Sequence, residues 1–172
     1  MIMILKKICR RIHKKWVLFL VNKIYKGTTK FKRKRKLLNS IGYQIGEGSK
    51  IVGPIEVTGK LIVGENCWIG KNFKVNGNGT VTIGDNCDIA LEVTFQTGGH
   101  AIGNCQRRAG KGKIFNQSVG DGTWIGGRVT ILNETEIGKS CVIAGCACVI
   151  GDVPDNSLVG GVPARLIRVL DD

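Results

Sequence analysis

The chain has 172 residues, with 26 Lys or Arg against 13 Asp or Glu, 25 Gly, three Pro and seven Cys. That length supports one domain with ample chain for a core, and the low proline count excludes collagen-like and proline-rich disordered chains. The positive charge is local: residues 1–40 carry fourteen Lys or Arg and no acid, whereas residues 41–172 carry twelve basic and thirteen acidic residues.

The first 42 residues therefore read as a separate basic, amphipathic, helical segment. Ile4, Leu5, Ile8, Ile12, Trp16, Phe19 and Leu20 have helical spacing, with Lys and Arg between them. Such a pattern suits a helix lying on an anionic membrane surface. The run Lys30-Phe31-Lys32-Arg33-Lys34-Arg35-Lys36 suits anionic lipid as well. The same stripe could instead cap the end of the fold or pack in an oligomer. Nucleic acid is the least favoured partner of the three. The longest apolar run, Trp16 to Val21, is too short to span a bilayer and lacks a cleavage site of small residues.

From residue 43 the chain changes character. An aliphatic residue recurs every sixth position at Val63, Ile69 and Val75, then after a two-residue shift at Ile83 and Ile89. It resumes at Val119, Ile125, Ile131, Ile137, Ile143 and Val149. A hexad period marks a parallel β-helix, in which three hexads close one triangular coil of roughly 18 residues. The aliphatic residue fills the prism. The residue four later also points inward: Cys67, Phe73, Gly79, Cys87, Val93, Thr123, Val129, Thr135, Cys141 and Ala147. Gly, Asn and Asp punctuate the corners, where a sharp or left-handed backbone is needed. Each coil hides its apolar face only by stacking, so the ends need caps. The expected fold is all-β, a parallel β-helix over residues 43–158 preceded by the basic helical segment.

The cysteines do not form a disulfide framework. Their number is odd, and Cys67, Cys87 and Cys141 take inward slots, where a free thiol acts as a small hydrophobe. A reducing cytoplasm follows. Zinc is disfavoured because Cys146-Ala147-Cys148 is expected to put one thiol inside the prism and its neighbours outside.

Between the two runs of hexads stands Thr97-Gly98-Gly99-His100, followed by a loop at residues 105–118 that ignores the beat and carries Arg107, Arg108, Lys111 and Lys113. His100 is the only histidine outside the basic block, where His13 lies. An imidazole is suited to general-base work near neutral pH. A single histidine in a repeat protein can also be purely structural. No dinucleotide fingerprint or phosphate-binding glycine loop is present, so neither NAD nor ATP is implied.

From Val75 onward the chain resembles the hexapeptide-repeat acyltransferases, and among them the galactoside and maltose O-acetyltransferases and their relatives in surface-polysaccharide clusters. The resemblance rests on Thr80-Val81-Thr82-Ile83-Gly84-Asp85-Asn86, Thr97-Gly98-Gly99-His100, Val119-Gly120-Asp121-Gly122-Thr123-Trp124-Ile125-Gly126 and Gly161-Val162-Pro163-Ala164-Arg165-Leu166-Ile167-Arg168. It covers about three fifths of the chain and not the basic segment. It implies a left-handed coil and a homotrimer with active sites between subunits. The implied reaction is acetyl transfer from acetyl-CoA to a sugar hydroxyl, without a metal.

By the same resemblance His100 is the general base. Trp124 walls the acetyl and pantetheine channel, and Gly127 takes the oxyanion position where the galactoside enzymes have serine. Gly145, Pro163, Arg165 and Arg168 contact acetyl-CoA, the last three from a C-terminal tail over residues 159–172. Asn76 contacts the acceptor, and the loop after His100 encloses the site of a neighbouring subunit. The family's acidic acceptor-binding residue has no counterpart among residues 1–40, so the acceptor differs from a simple galactoside. A surface glycan or its lipid- or nucleotide-linked precursor is expected, handled at the inner face of the plasma membrane if the basic segment binds there. A small acceptor such as serine or an antibiotic is the alternative; a membrane-associated scaffold without activity is a further one. A γ-type carbonic anhydrase is disfavoured because it needs three histidine ligands.

Overall fold

A computed structural model describes residues 2–171. Helix α1, Ile2–Phe19, runs through a π-helical turn at Leu20–Ile24 to helix α2, Phe31–Ser40. The rest is a prism of short parallel strands in three walls. The first wall stacks Gln44–Ile45, Lys60–Val63, Thr80–Ile83, Gln117–Val119 and Thr135–Ile137. The second stacks Lys50–Ile51, Trp68–Ile69, Asp88–Ile89, Trp124–Ile125, Val142–Ile143 and Ser157–Gly161, with Ala164–Val169 as an antiparallel outer strand. The third stacks Ile55–Val57, Phe73–Asn76, Thr94–Gln96, Thr130–Ile131 and Cys148–Val149. The six-residue beat thus extends back to Ile45, Ile51 and Val57, all buried.

Register along the second wall measures the coils. Lys50 pairs with Trp68 eighteen residues on, and Trp124 with Val142 likewise. Trp68 pairs with Asp88 twenty residues on, which absorbs the two-residue shift. That shift moves one inward slot: Val81, paired with Leu61, fills the prism, and Gly79 does not. Gly79 lies under the carbonyl of Phe115 and the side chain of Thr97, where a Cβ has no room. The other inward residues anticipated from the hexads are buried as expected. Burial pushes the Cys141 thiol up, and a hydrogen bond with Cys67 together with burial does the same for Cys87. These two thiols stay protonated and act as packing.

Asp pairs explain one corner. Asp85 and Asp121 each accept, through Oδ1, the backbone N–H of the coil below, from Glu65 at 2.7 Å and Asp85 at 2.9 Å. Asp155 does so for Lys139 at 2.7 Å. The residue after each Asp turns the corner with positive φ: Asn86, Gly122 and Asn156. Carboxylate and left-handed residue together satisfy donors that the turn takes out of the ladder.

The open lower end of the prism is closed by the π-helical turn and α2. The amide of Asn22 bonds both the carbonyl and the N–H of Ile55, at 2.8 and 2.9 Å. Asn39 bonds the carbonyl and N–H of Ile45 in the same way, at 3.1 and 2.9 Å. Each asparagine therefore stands in for the missing strand at an exposed edge. Val17, Val21 and Leu38 are buried beneath them. Capping is thus performed by residues 17–39, and not by the stripe from Ile4 to Phe19, which stays exposed. Among the described residues no helix is long and apolar enough to cross a membrane.

Lys34 is fully buried in this cap, donates to the Gly27 carbonyl at 2.7 Å, and lies 4.5 Å from the Phe31 ring centre. Burial pulls its pKa down to about 8. A lysine depressed in the folded state weakens folding below that value, and the loss is relieved as pH rises toward its unfolded value of 10.5. Stability should therefore increase by up to about 2 kcal/mol between about pH 8 and about pH 10. Denaturant melts across that range should show the rise, and Lys34→Met should remove it.

Two expected boundaries move. The excursion starts at Gly98, not 105, and Gln117 and Ser118 already belong to the first wall. The reason is backbone pairing: Gly98–Ile102 and Ala109–Ile114 form an antiparallel hairpin. The C-terminal segment is a strand, not a tail, because Ala164–Val169 pairs with Ser157–Gly161, a strand that itself crosses the expected boundary at 158.

Candidate active site

The hairpin leaves the prism at the corner between the third and first walls and carries His100 outward. Thr97, fully buried, roots it: Oγ1 donates to the Asn76 carbonyl at 3.1 Å and accepts the Gly79 N–H at 3.2 Å. Gly99 is glycine for a packing reason, since a Cβ there would lie 2.8 Å from the Phe115 ring. Gln117 completes the root by donating to the carbonyls of Gln96, Ile131 and Asn133. Thr97, Phe115 and Gln117 are not evident as site-forming residues from sequence; the only signal is that they flank the interruption of the beat.

The imidazole of His100 is exposed, and its Nδ1 lies 2.8 Å from the Gly110 carbonyl on the facing strand. A carbonyl only accepts, so Nδ1 carries a proton, and in the neutral ring the lone pair is on Nε2. Gly98, His100 and Ile102 share one face of the hairpin by strand alternation, and Ile114 joins them as the partner of Gly98. Ile102 and Ile114 are 89 % and 61 % exposed, so the imidazole stands beside apolar side chains that the described residues leave uncovered.

The other candidates gather elsewhere. Trp124, on the outer face of the second wall, is 56 % exposed. Val142 and Leu158 follow it in register, and Arg168 pairs with Leu158. Arg165 and Arg168 are three apart and would point to opposite faces of a regular strand. The register shift opposite Leu158 and Val159 puts Arg165 beside Gly160 and Arg168 beside Leu158, so both face outward with Trp124. Three strand spacings separate Trp124 from Arg168, about 14 Å. Arg165 Nη1 donates to the Ala164 carbonyl at 2.8 Å. Pro163 is exposed in the turn between the two outer strands.

Gly127 and Gly145 stack at the next corner, joined by the Cys146 N–H to the Gly127 carbonyl at 2.9 Å. Lys71 and Leu91 hold the same place in the two coils below. Among the described residues neither the Gly127 nor the Gly145 N–H has a backbone acceptor. The adjacent glycines 126 and 127 differ sharply. A Cβ on Gly126 would meet the Gly145 nitrogen at 2.6 Å, whereas one on Gly127 meets nothing closer than 3.5 Å. Gly126→Ala should cost about 1–3 kcal/mol by overpacking, and Gly127→Ala much less, as paired thermal melts would register. Asn76 lies in the third wall, in register with Gln96 just before the hairpin, and is half-buried.

The structure therefore brings Asn76 to the root of the His100 hairpin. It brings Trp124, Arg165 and Arg168 to one face, with Gly127 and Gly145 beside it. It does not bring the two groups together within one chain, because the hairpin corner is opposite the second wall. Among the described residues no cluster of three His, Cys, Asp or Glu could hold a metal ion.

No family model matches the chain. The galactoside O-acetyltransferase of Escherichia coli is 34 % identical over 146 residues, covering 81 % of this chain and 70 % of that enzyme. A solved galactoside acetyltransferase in complex with coenzyme A is similar at a TM-score of 0.80 and 27 % identity, covering 95 % of this chain and 82 % of that one. A hexapeptide-repeat acetyltransferase of Vibrio cholerae, complexed with acetyl coenzyme A, is similar at 0.79 and 26 %, covering 95 % and 88 %. With this prism, this interruption and these relatives, the chain belongs to the hexapeptide-repeat acyltransferases, and within them to the acetyl-CoA-dependent O-acetyltransferases.

Proposed function

We propose that the protein transfers acetyl from acetyl-CoA to a hydroxyl of a surface glycan or its precursor, in clefts between the subunits of a homotrimer. The observation that carries the chemistry is the Nδ1 bond of His100 to Gly110, which leaves Nε2 as the available base. Nε2 takes the proton of the acceptor hydroxyl as its oxygen attacks the thioester carbonyl. The Gly127 N–H donates to the oxyanion, which suits a residue with an unused donor and no side chain. The carbon–sulfur bond then breaks, and the departing thiolate takes the proton from the imidazolium. Trp124 walls the acetyl channel, the Gly145 N–H bonds the pantetheine, Pro163 packs on the ligand, and Arg165 and Arg168 pair with the phosphates. Asn76 contacts the acceptor.

Separation supports the oligomer. His100 leaves one corner while Trp124 faces out from the opposite wall, so a second copy has to supply the donor half of each site. The exposed Ile102, Ile114 and Trp124 are the surfaces such a copy would cover. The hairpin's Arg107, Arg108, Lys111 and Lys113, with no acid between residues 98 and 116, favour an acceptor that carries negative charge. The seven thiols, three of them in the core, fit a reducing cytoplasm. The test is thiol release from acetyl-CoA with a panel of neutral and anionic glycans. Turnover is expected, faster with the anionic ones; no turnover with any sugar, but turnover with serine or an aminoglycoside, would replace this acceptor class.

A further inference from the structure

Helix α1 carries an apolar stripe that nothing among the described residues covers. Leu5, Ile8, Ile12, Trp16 and Phe19 recur three or four residues apart with Ile4 beside them, on one side, and each of the six is between 47 % and 64 % exposed. Trp16 and Phe19 stack with ring centres 5.8 Å apart. The opposite side is the one turned to the body. Val17 and Val21 are buried there, and Lys14 Nζ lies 5.6 Å from the Tyr43 ring centre. Lys7, Arg10, Arg11 and Lys14 line a crevice of about 410 Å³ against Ser40 and Ile41.

Half a turn of α1 would hide the stripe against the body and leave the cations in water. The bonds of Asn22 to Ile55 and the burial of Val17 and Val21 fix the reverse orientation. The missing partner has to offer an apolar layer to the stripe and negative charge to Arg11 and Lys15 along its edge. A second copy of this chain carries the same net positive charge. Its residues 41–172 are nearly neutral, and its residues 1–40 carry fourteen cations without an acid. An anionic lipid surface offers both.

We infer that α1 lies in the headgroup layer of an anionic bilayer with the stripe facing the acyl chains. Arg11 and Lys15 flank the stripe on one side and reach the phosphates by snorkelling. The π-helical turn and α2 join this anchor rigidly to the first coil. The inference goes beyond acetyl transfer and does not depend on it.

The test uses the full chain with vesicles of phosphatidylcholine, alone or with roughly 30 % phosphatidylglycerol. Sedimentation should show at least about tenfold more partitioning to the anionic vesicles, lost as salt rises from about 0.05 to about 0.5 M. The triple variant Ile8→Ser, Ile12→Ser, Trp16→Ser should lose about tenfold or more of this binding with its mass in light scattering unchanged. Trp16→Phe keeps the stripe apolar; it should keep binding and abolish the vesicle-induced blue shift of tryptophan emission. No binding by the full chain overturns the inference. So does undiminished binding by the triple variant, which would mean charge alone. A change of oligomeric mass in that variant overturns it in favour of a subunit seam, and a blue shift that survives Trp16→Phe overturns the assigned orientation.

Discussion

Replacing His100 with alanine should leave the protein folded and lower kcat by about 10²–10⁴-fold, the usual size of a lost general base. The side chain is exposed on the hairpin, and among the described residues its one hydrogen bond is to Gly110, so the prism does not rely on it. His100→Gln keeps a polar group that can reach Gly110 but has no basic nitrogen, and should be as inactive. Near-normal turnover by either variant, with unaltered melting, would remove His100 from the reaction. The same variants test where the site is assembled. If the base and the donor face come from different copies, refolding His100→Ala together with Trp124→Asp, each inactive alone, should restore activity in the mixture. A mixture as inactive as its parts would mean that each chain builds its own site, against the opposed placement of hairpin and second wall.

Removing the two arginines of the outer strand should act on the donor and not on the chemistry. Arg165 and Arg168 face outward with Trp124, Arg168 about 14 Å along the wall from it, where the far end of an extended thioester would lie. Each charge-assisted contact to a phosphate is worth about 1.5–3 kcal/mol. Arg165→Ala with Arg168→Ala should therefore raise the KM for acetyl-CoA by at least about a hundredfold while kcat changes little. Steady-state kinetics with acetyl-CoA varied would measure this, and a truncated thioester lacking the nucleotide should show no difference between variant and parent. An unchanged KM for acetyl-CoA would show that the outer strand only closes the wall.

Much of this molecule is legible in its amino-acid order. The six-residue beat determines which side chains point into the prism, because inward and outward positions alternate locally and a narrow interior admits few residue types. Ile69, Ile89, Ile125 and Ile143 could be assigned that way, as could the small residues Cys87, Thr123 and Ala147. The break in the beat marks His100, and the absence of acids from residues 1–40 marks a separate element. What the beat does not encode is anything that depends on register or on distant segments meeting. Gly79 is displaced from its slot by Val81 because a two-residue shift is absorbed at a corner, and spacing alone does not say which residue bulges. Arg165 and Arg168 share a face only because the outer strand slips by one against its partner. Helical periodicity places Ile8, Ile12 and Trp16 on one stripe, yet which side of α1 meets the body is decided by Asn22, Val17 and Val21 against the first coil. Local pattern carries the fold because each hexad repeats one local geometry. The site depends on how corner, wall and hairpin are set around the prism axis, and that arrangement exists only once the coils have stacked.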